Sequence, residues 1–245
     1  MMSEPAMLPP IAILAGGLAK RLRPASLTIP KSLIPVAGRP FIDHQMELLQ
    51  RQGARKVVIC RGYLGEQIED HVRDGARYGL AVTYCQDGDP LLGTGGAIKK
   101  ALPQLGDVFM VLYGDSYLPI AFGPVADAFR ASGADGLMTV FRNDGRWDTS
   151  NVEFGGGAIR RYDKVNRTAA MQHIDYGLSV LRAGAFNRWP AGEPFDLAVV
   201  LQDLLAAGRL VGFEVHERFY EVGSAAGIAE TERFILGQQR QAAPP

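Results

Sequence analysis

Cysteine is scarce: Cys60 and Cys85 are the two in 245 residues. Both sit inside apolar runs and neither belongs to a C-x-x-C pair, so a disulfide framework and a cysteine zinc site are excluded and reduced core thiols are expected. Histidine is nearly as rare, at four. His44 and His71 fall on expected helices, His173 and His216 on expected strands, none with a second ligand at metal spacing, so no histidine metal centre is expected. An excess charge is missing too, because 26 basic residues meet 26 acidic ones. No global field draws nucleic acid or an anionic membrane, and any anion site must be local. No apolar run approaches the roughly 20 residues of a spanning helix. The first ten residues hold three prolines and Glu4 but no basic n-region, unlike a signal peptide or lipid anchor. These absences imply a cytoplasmic protein with neither nucleic-acid nor membrane partner. What is present, 47% hydrophobic and 21% charged residues, is the composition of a folded domain.

Ile11-Ala12-Ile13-Leu14-Ala15 is a short continuous apolar run that stops at Gly16-Gly17, as a strand buried on both faces does. Similar runs recur at 57–60, 81–84 and 108–112. Helical patterns separate them at 40–53, 64–75 and 94–102, the last with Pro103 just beyond it. This alternation calls for a parallel sheet with helices on both faces, whose ligands bind beyond the carboxyl ends of the strands. Gly16-Gly17 and Gly114-Asp115 both fall there. After about residue 140 the pieces become shorter and turn-rich (151–154, 159–162, 177–181), before an apolar helix at 195–207. The expected organisation is a flexible leader (1–10), one domain (11–236) with a nucleotide-binding half (11–140) and a smaller mixed half (141–236), and a tail (237–245).

The segment after the first strand, Leu14-Ala15-Gly16-Gly17-Leu18-Ala19-Lys20-Arg21-Leu22-Arg23-Pro24, places a glycine turn before three cations. Glycine lets backbone N–H groups approach phosphate oxygens, and arginine adds planar multidentate contacts. Taken alone, it reads more readily as a tight turn with solvated cations, and it matches neither G-x-G-x-x-G nor a Walker loop. Ten residues after Arg21, Pro30-Lys31-Ser32-Leu33-Ile34-Pro35-Val36 holds one lysine between stiffening prolines.

Together with Gly-Thr-Gly-Gly-Ala at 93–97 and Tyr113-Gly114-Asp115, these co-linear motifs resemble the sugar-1-phosphate nucleotidyltransferases, over nearly the whole chain from about 11 to 236. The resemblance implies a GT-A-like modified Rossmann fold of the α/β class, with a mainly parallel central sheet, helices on both faces and a smaller mixed α+β sugar-binding part. It implies in-line attack of a sugar 1-phosphate on the α-phosphorus of a nucleoside triphosphate. Arg21 would hold the leaving β- and γ-phosphates, Lys31 the α-phosphate, and Leu14, Ala15, Gly16 and Gly17 the nucleotide, with Gln86 and Gly93 flanking the base. Asp115 would be a Mg2+ ligand, joined by Glu221 in Phe219-Tyr220-Glu221-Val222-Gly223-Ser224, where the family usually has aspartate. Asp163 and Lys164, in place of the family's Glu-Lys-Pro, would contact the sugar and its phosphate, with Tyr176 and Gly177 on a sugar-pocket strand. Ala19 and Lys20 depart from the family's glycine and threonine.

With a chain ending at 245, the expectation is a short single-module member that lacks a carboxy-terminal β-helix. Such members resemble mannose- or heptose-1-phosphate guanylyltransferases and N-acetylmuramate-1-phosphate uridylyltransferases. The Tyr-Gly-Asp-Ser, Tyr-Asp-Lys and Glu-Val-Gly-Ser variants favour GTP with heptose or mannose 1-phosphate. Two rivals stand beside this reading. A cytidylyltransferase on phosphocholine would need an aromatic box for the quaternary ammonium, and a non-catalytic sensor of nucleotide sugars would bind without releasing pyrophosphate. Partners are small molecules, with a homo-oligomer left open.

Overall fold

The computed structural model describes residues 7–17 and 28–242. Arg21, with Ala19 and Lys20, lies outside the described residues. Strand β1 (Ile11–Ala15) ends at Gly16 and Gly17, and from Lys31 the chain forms a 3-10 turn (Lys31–Leu33) and a small ribbon of β2 (Pro35–Val36) and β3 (Arg39–Pro40). Then α1 (Phe41–Arg51), β4 (Lys56–Arg61), α2 (Gly65–Val72), β5 (Ala81–Gln86), α3 (Gly93–Leu105) and β6 (Val108–Tyr113) alternate. Beyond them come β7 (Ser116–Tyr117), α4 (Phe122–Ser132), β8 (Gly136–Arg142), β9 (Val152–Gly155), β10 (Ala158–Tyr162) and β11 (His173–Arg182). The remaining elements are α5 (Leu197–Ala206), β12 (Leu210–Val215), β13 (Tyr220–Glu221) and α6 (Ala225–Ala242).

Among the described residues nine strands form one sheet in which β1 is central, parallel to β6 on one side and to β4 on the other, with parallel β5 at the edge. Beyond β6 the direction changes: β11 runs antiparallel to β6 and β8, and β12 pairs parallel with β8. Period-two alternation sends successive residues of one strand to opposite layers. Ile11, Ile13, Met110 and Leu112 meet residues of α1, α2 and α4, whereas Ala12, Val58, Phe109 and Val111 meet α3 and α5. Both faces of the sheet are thus covered, which is why its strands read as unbroken apolar runs.

Two elements differ from expectation. Helix α3 runs through Pro103 to Leu105. A proline in the last turn removes a single N–H bond, and Ala101 and Leu105, both buried, hold that turn to the sheet. Strand β11 extends four residues before the expected start at Gly177, across a register shift between Asp175 and Ser179 against β8. Gly177, with φ +98°, lies in that bulge, where a residue without Cβ is favoured.

The ends of β1 and β6 are drawn together behind Gly114, whose amide donates to the Leu14 carbonyl at 2.9 Å. A Cβ on Gly114 would stand 3.0 Å from both the Leu14 oxygen and the Ala15 Cβ. Gly114→Ala is therefore expected to cost about 1–3 kcal/mol by overpacking, seen in urea unfolding as a lower midpoint at unchanged slope.

Candidate active site

The carboxyl ends of β1, β4, β5 and β6 border a cleft of about 220 Å³. Leu14, Ala15, Gly16, Gly17, Lys31, Gly93 and Asp115 all line it, so seven residues expected to act together are brought together. The glycine loop is tight because two loop backbones meet: a Cβ on Gly62 would stand 2.8 Å from the Gly16 oxygen.

Lys31 opens the 3-10 turn after Pro30, and its neighbour Ser32, almost fully buried, donates through Oγ to the Gly114 carbonyl at 3.1 Å. That bond fixes the lysine opposite the turn at 113–116. The Lys31 ammonium donates to Asp115 Oδ2 at 2.7 Å, each side chain about a quarter exposed. Gln45, buried on α1, donates from its amide nitrogen to the carbonyls of Tyr113 (2.9 Å) and Ser116 (2.8 Å). Ser32 and Gln45 carry no chemical signature in sequence, and their contribution is legible only in space.

Glu221 reaches the same place by a different route. β13 pairs antiparallel with β7, Glu221 opposite Ser116, and the Val222 amide donates to the Asp115 carbonyl at 2.9 Å. A Cβ on Gly223 would lie 3.5 Å from Glu221 Oε1 and 3.9 Å from Lys31 Nζ, so the glutamate carboxylate stands beside the Lys31–Asp115 pair. Among the described residues no three His, Cys, Asp or Glu side chains cluster as an all-protein metal site. Two carboxylates beside a cleft fit Mg2+ nonetheless, since that ion keeps waters and takes phosphate oxygens as its remaining ligands.

The base side departs from expectation. Gln86 is exposed at the end of β5 and does not line the cleft; Asp87 does. Consecutive residues of an extended chain point to opposite sides, so a one-residue offset exchanges the inward side chain. Gly93 takes φ +71° at the start of α3. The amides of Gly95 and Gly96 donate to the Phe195 carbonyl (2.9 and 3.3 Å), and a Cβ on Gly95 would collide with the Phe195 ring at 2.3 Å. The glycines of this motif thus admit the 193–196 segment, with Asp196, against the helix start.

Lys164 Nζ lies 3.6 Å from Asp196 Oδ1 and 6.0 Å from the centre of the Tyr113 ring, which lines the cleft. Asp163 is committed to its own loop: Oδ1 accepts from the Val165 and Asn166 amides, both at 2.8 Å, and the Asn166 and Val165 bonds hold its carboxyl below the usual range. Tyr176, expected on the sugar-pocket strand, turns its ring into the core against Phe141 and Phe219 and does not line the cleft. Its neighbour Asp175 accepts from Gly177 N (3.1 Å) and Tyr162 Oη (3.0 Å), and burial pushes its carboxyl up from the ordinary range. Trp147 lies off this cleft, stacked 3.4 Å from the Arg218 guanidinium.

A GT-A-like α/β sheet with a glycine loop and an aspartate at the ends of its central strands, and a lysine and a glutamate brought beside them from neighbouring segments, defines the class. The nucleotidyl transferase family model matches residues 11–161, and the chain belongs to that family. It is 33% identical over 247 residues to a UTP–glucose-1-phosphate uridylyltransferase of Synechocystis sp., covering 93% of this chain and 63% of that protein's length. A D-glycero-alpha-D-manno-heptose 1-phosphate guanylyltransferase of Campylobacter jejuni is 29% identical over 78% of this chain and 84% of its own. Among solved structures, a putative glucose-1-phosphate thymidylyltransferase from Bacillus anthracis superposes with TM-score 0.83 at 18% identity, covering 94% of this chain and 95% of the other.

Tyr162→Phe removes a hydroxyl donor from the buried Asp175 carboxylate, at an expected cost of about 1–3 kcal/mol at neutral pH. Loss of the donor raises the Asp175 pKa further in the folded state, so the penalty applies where the wild-type carboxylate is ionised and shrinks as pH falls towards 4. Paired thermal unfolding at pH 7 and 4 measures both.

Proposed function

We propose that this chain transfers a nucleoside monophosphate from a nucleoside triphosphate to a sugar 1-phosphate, with GTP as donor and heptose or mannose 1-phosphate as acceptor. The observation that carries the reading is the Lys31–Asp115 pair with Glu221 beside it at the mouth of the glycine loop. The chemistry of such a site is positioning and charge neutralisation, which is what phosphoryl-type transfer requires. A phosphate oxygen of the sugar 1-phosphate forms a bond to the α-phosphorus as the bond to the bridging β-oxygen breaks, and the electron pair leaves with pyrophosphate.

Lys31 donates to the α-phosphate oxygens as charge builds there. Arg21 takes the β- and γ-phosphates. Backbone amides of the glycine loop hold the nucleotide, and Lys164 orients the acceptor's phosphate beside Tyr113. Asp115 and Glu221 are suited to hold Mg2+, which when bound neutralises phosphate charge. The heptose guanylyltransferase relative, which this chain covers over 84% of its length, supports the choice of GTP; the uridylyltransferase relative supports UTP as the second reading.

Mg2+-dependent pyrophosphate release should appear with one nucleoside triphosphate and a sugar 1-phosphate, and chelation should abolish it. Asp115→Asn should remove turnover while the unfolding midpoint is kept, and wild-type turnover in that variant sinks the carboxylate assignment. Lys31→Ala should lower kcat by at least roughly 100-fold. An effect confined to the KM for sugar phosphate would assign Lys31 to the acceptor instead.

A further inference from the structure

The cleft has a charged end and an apolar end, and their order follows from the sheet. Asp115 follows β6, Lys31 pairs with it, and the glycine loop follows β1. β4 and then β5 lie on the far side of β1, about three strand spacings, or roughly 14 Å, from β6. There the lining is Cys60, Leu91 and Ala97, with Gly93 and Thr94 from the start of α3. An apolar slot of this kind suits a nucleobase once the phosphates are held at the lysine end. One ionisable carboxylate apart from Asp115 lines the cleft: Asp87, which follows β5, sits where the slot meets Gly16 of the glycine loop and is 7% exposed.

The Asp87 carboxylate is fixed in place. Its Oδ1 accepts from the Gly88 amide at 2.8 Å and the Leu92 amide at 2.9 Å, which occupies both lone pairs of that oxygen. Both hydrogen bonds that the described residues give this carboxylate go to Oδ1. Oδ2 is turned to the cleft wall at Gly16, 3.4 Å from the position a Cβ on that glycine would take. A buried, fixed acceptor in a base slot demands a donor, and leaving it unmatched or facing another acceptor is costly.

The bases differ in this respect. Uracil and thymine present one N–H flanked by two carbonyl oxygens, so a carboxylate approaching that donor also meets carbonyl lone pairs. Cytosine and adenine present an amino group next to a ring-nitrogen acceptor. Guanine presents N1–H and the 2-amino group side by side, with no acceptor between them. From this geometry we infer that Asp87 is the base-reading residue of the cleft and that it selects guanine nucleotides. The inference rests on the nucleotidyl-transfer reading for the orientation of the nucleotide, and it deepens that reading by naming the residue that chooses the substrate.

The test is a calorimetric titration of the full chain with GDP, UDP, CDP and dTDP in Mg2+, on the wild type and on Asp87→Asn. Asparagine keeps an oxygen for the Gly88 and Leu92 amides and changes only the second atom, from an acceptor to an NH2 donor. The expected wild-type result is GDP binding at least roughly 10-fold tighter than the other three. In Asp87→Asn the GDP-to-UDP preference should fall by roughly 10–100-fold, with UDP binding strengthened and the unfolding midpoint kept. Tighter wild-type binding of UDP, CDP or dTDP than of GDP overturns the proposal without reference to any variant. An equal loss for all four in Asp87→Asn also overturns it, by making Asp87 a loop anchor only. Failure of all four to bind defeats both this inference and the transfer reading. GDP-selective binding without pyrophosphate release from any triphosphate defeats transfer alone and leaves Asp87 as the guanine reader of a sensor.

Discussion

The lysine and carboxylate end of the cleft hangs from the turn at 113–116. Its backbone is seized from four directions: Gly114 N by the Leu14 carbonyl, Gly114 O by Ser32, the Tyr113 and Ser116 carbonyls by Gln45, and the Asp115 carbonyl by Val222 N. Each bond ties the turn to another piece of chain: the end of β1, the lysine turn, α1 and the strand of Glu221. Because all four converge on one backbone, the lysine and both carboxylates are held next to one another without any cluster in sequence. The glycine at 114 permits this, since any Cβ there would push β1 and the turn apart.

The Lys31–Asp115 pair that results is not chiefly a stabilising contact. Both side chains are about a quarter exposed, and screened ion pairs of that kind contribute on the order of 0–1 kcal/mol. Its consequence is preorganisation: each group is already desolvated in part and aimed at the cleft before any ligand arrives. Under the transfer reading, phosphate oxygens replace the carboxylate as partners of Lys31, and the groups released by that exchange are the ones that stand ready for a cation. A chain of zero formal charge can therefore handle a polyanion, because its field is local to the strand ends.

The central sheet was legible from sequence because strands buried on both faces are continuous apolar runs, and glycines at their carboxyl ends mark where the chain must turn. Lys31, Asp115 and Glu221 were legible through motifs that lie far apart in the chain but in fixed order. What sequence did not disclose are relations through space. Ser32 and Gln45 look like an ordinary loop serine and an ordinary helix glutamine until their partners are known. Gln86 and Asp87 are adjacent polar residues, and strand pleating alone decides which one enters the cleft. Tyr176 lies on β11 but on its core face. β8, α4 and α6 escaped the reading because their apolar stripes carry no punctuation as sharp as Gly16-Gly17 or Gly114; the strand expected at His216 is β12, which ends one residue earlier at Val215, and its parallel pairing with β8 is a long-range contact no local pattern encodes.

The two sides of the turn at 113–116 hold a lysine in the same way. On the glycine-loop side the backbone and Lys31 supply donors, which call for anionic oxygen. On the Lys164 side a single ammonium is shared between Asp196 at 3.6 Å and the electrostatic reach of the buried Asp175. Asp196 Oδ1 also accepts from the Ala198 amide, and the two Asp175 oxygens accept from Gly177 N and Tyr162 Oη. Both carboxylates are thus tied to their own surroundings, and the ammonium between them is the group of the three that offers donors to a ligand. Lys31 stands in the same relation to Asp115 and Glu221. Each side of the turn therefore presents one lysine held in place by carboxylates, an arrangement that aims a donor at a phosphate oxygen without an excess of local charge.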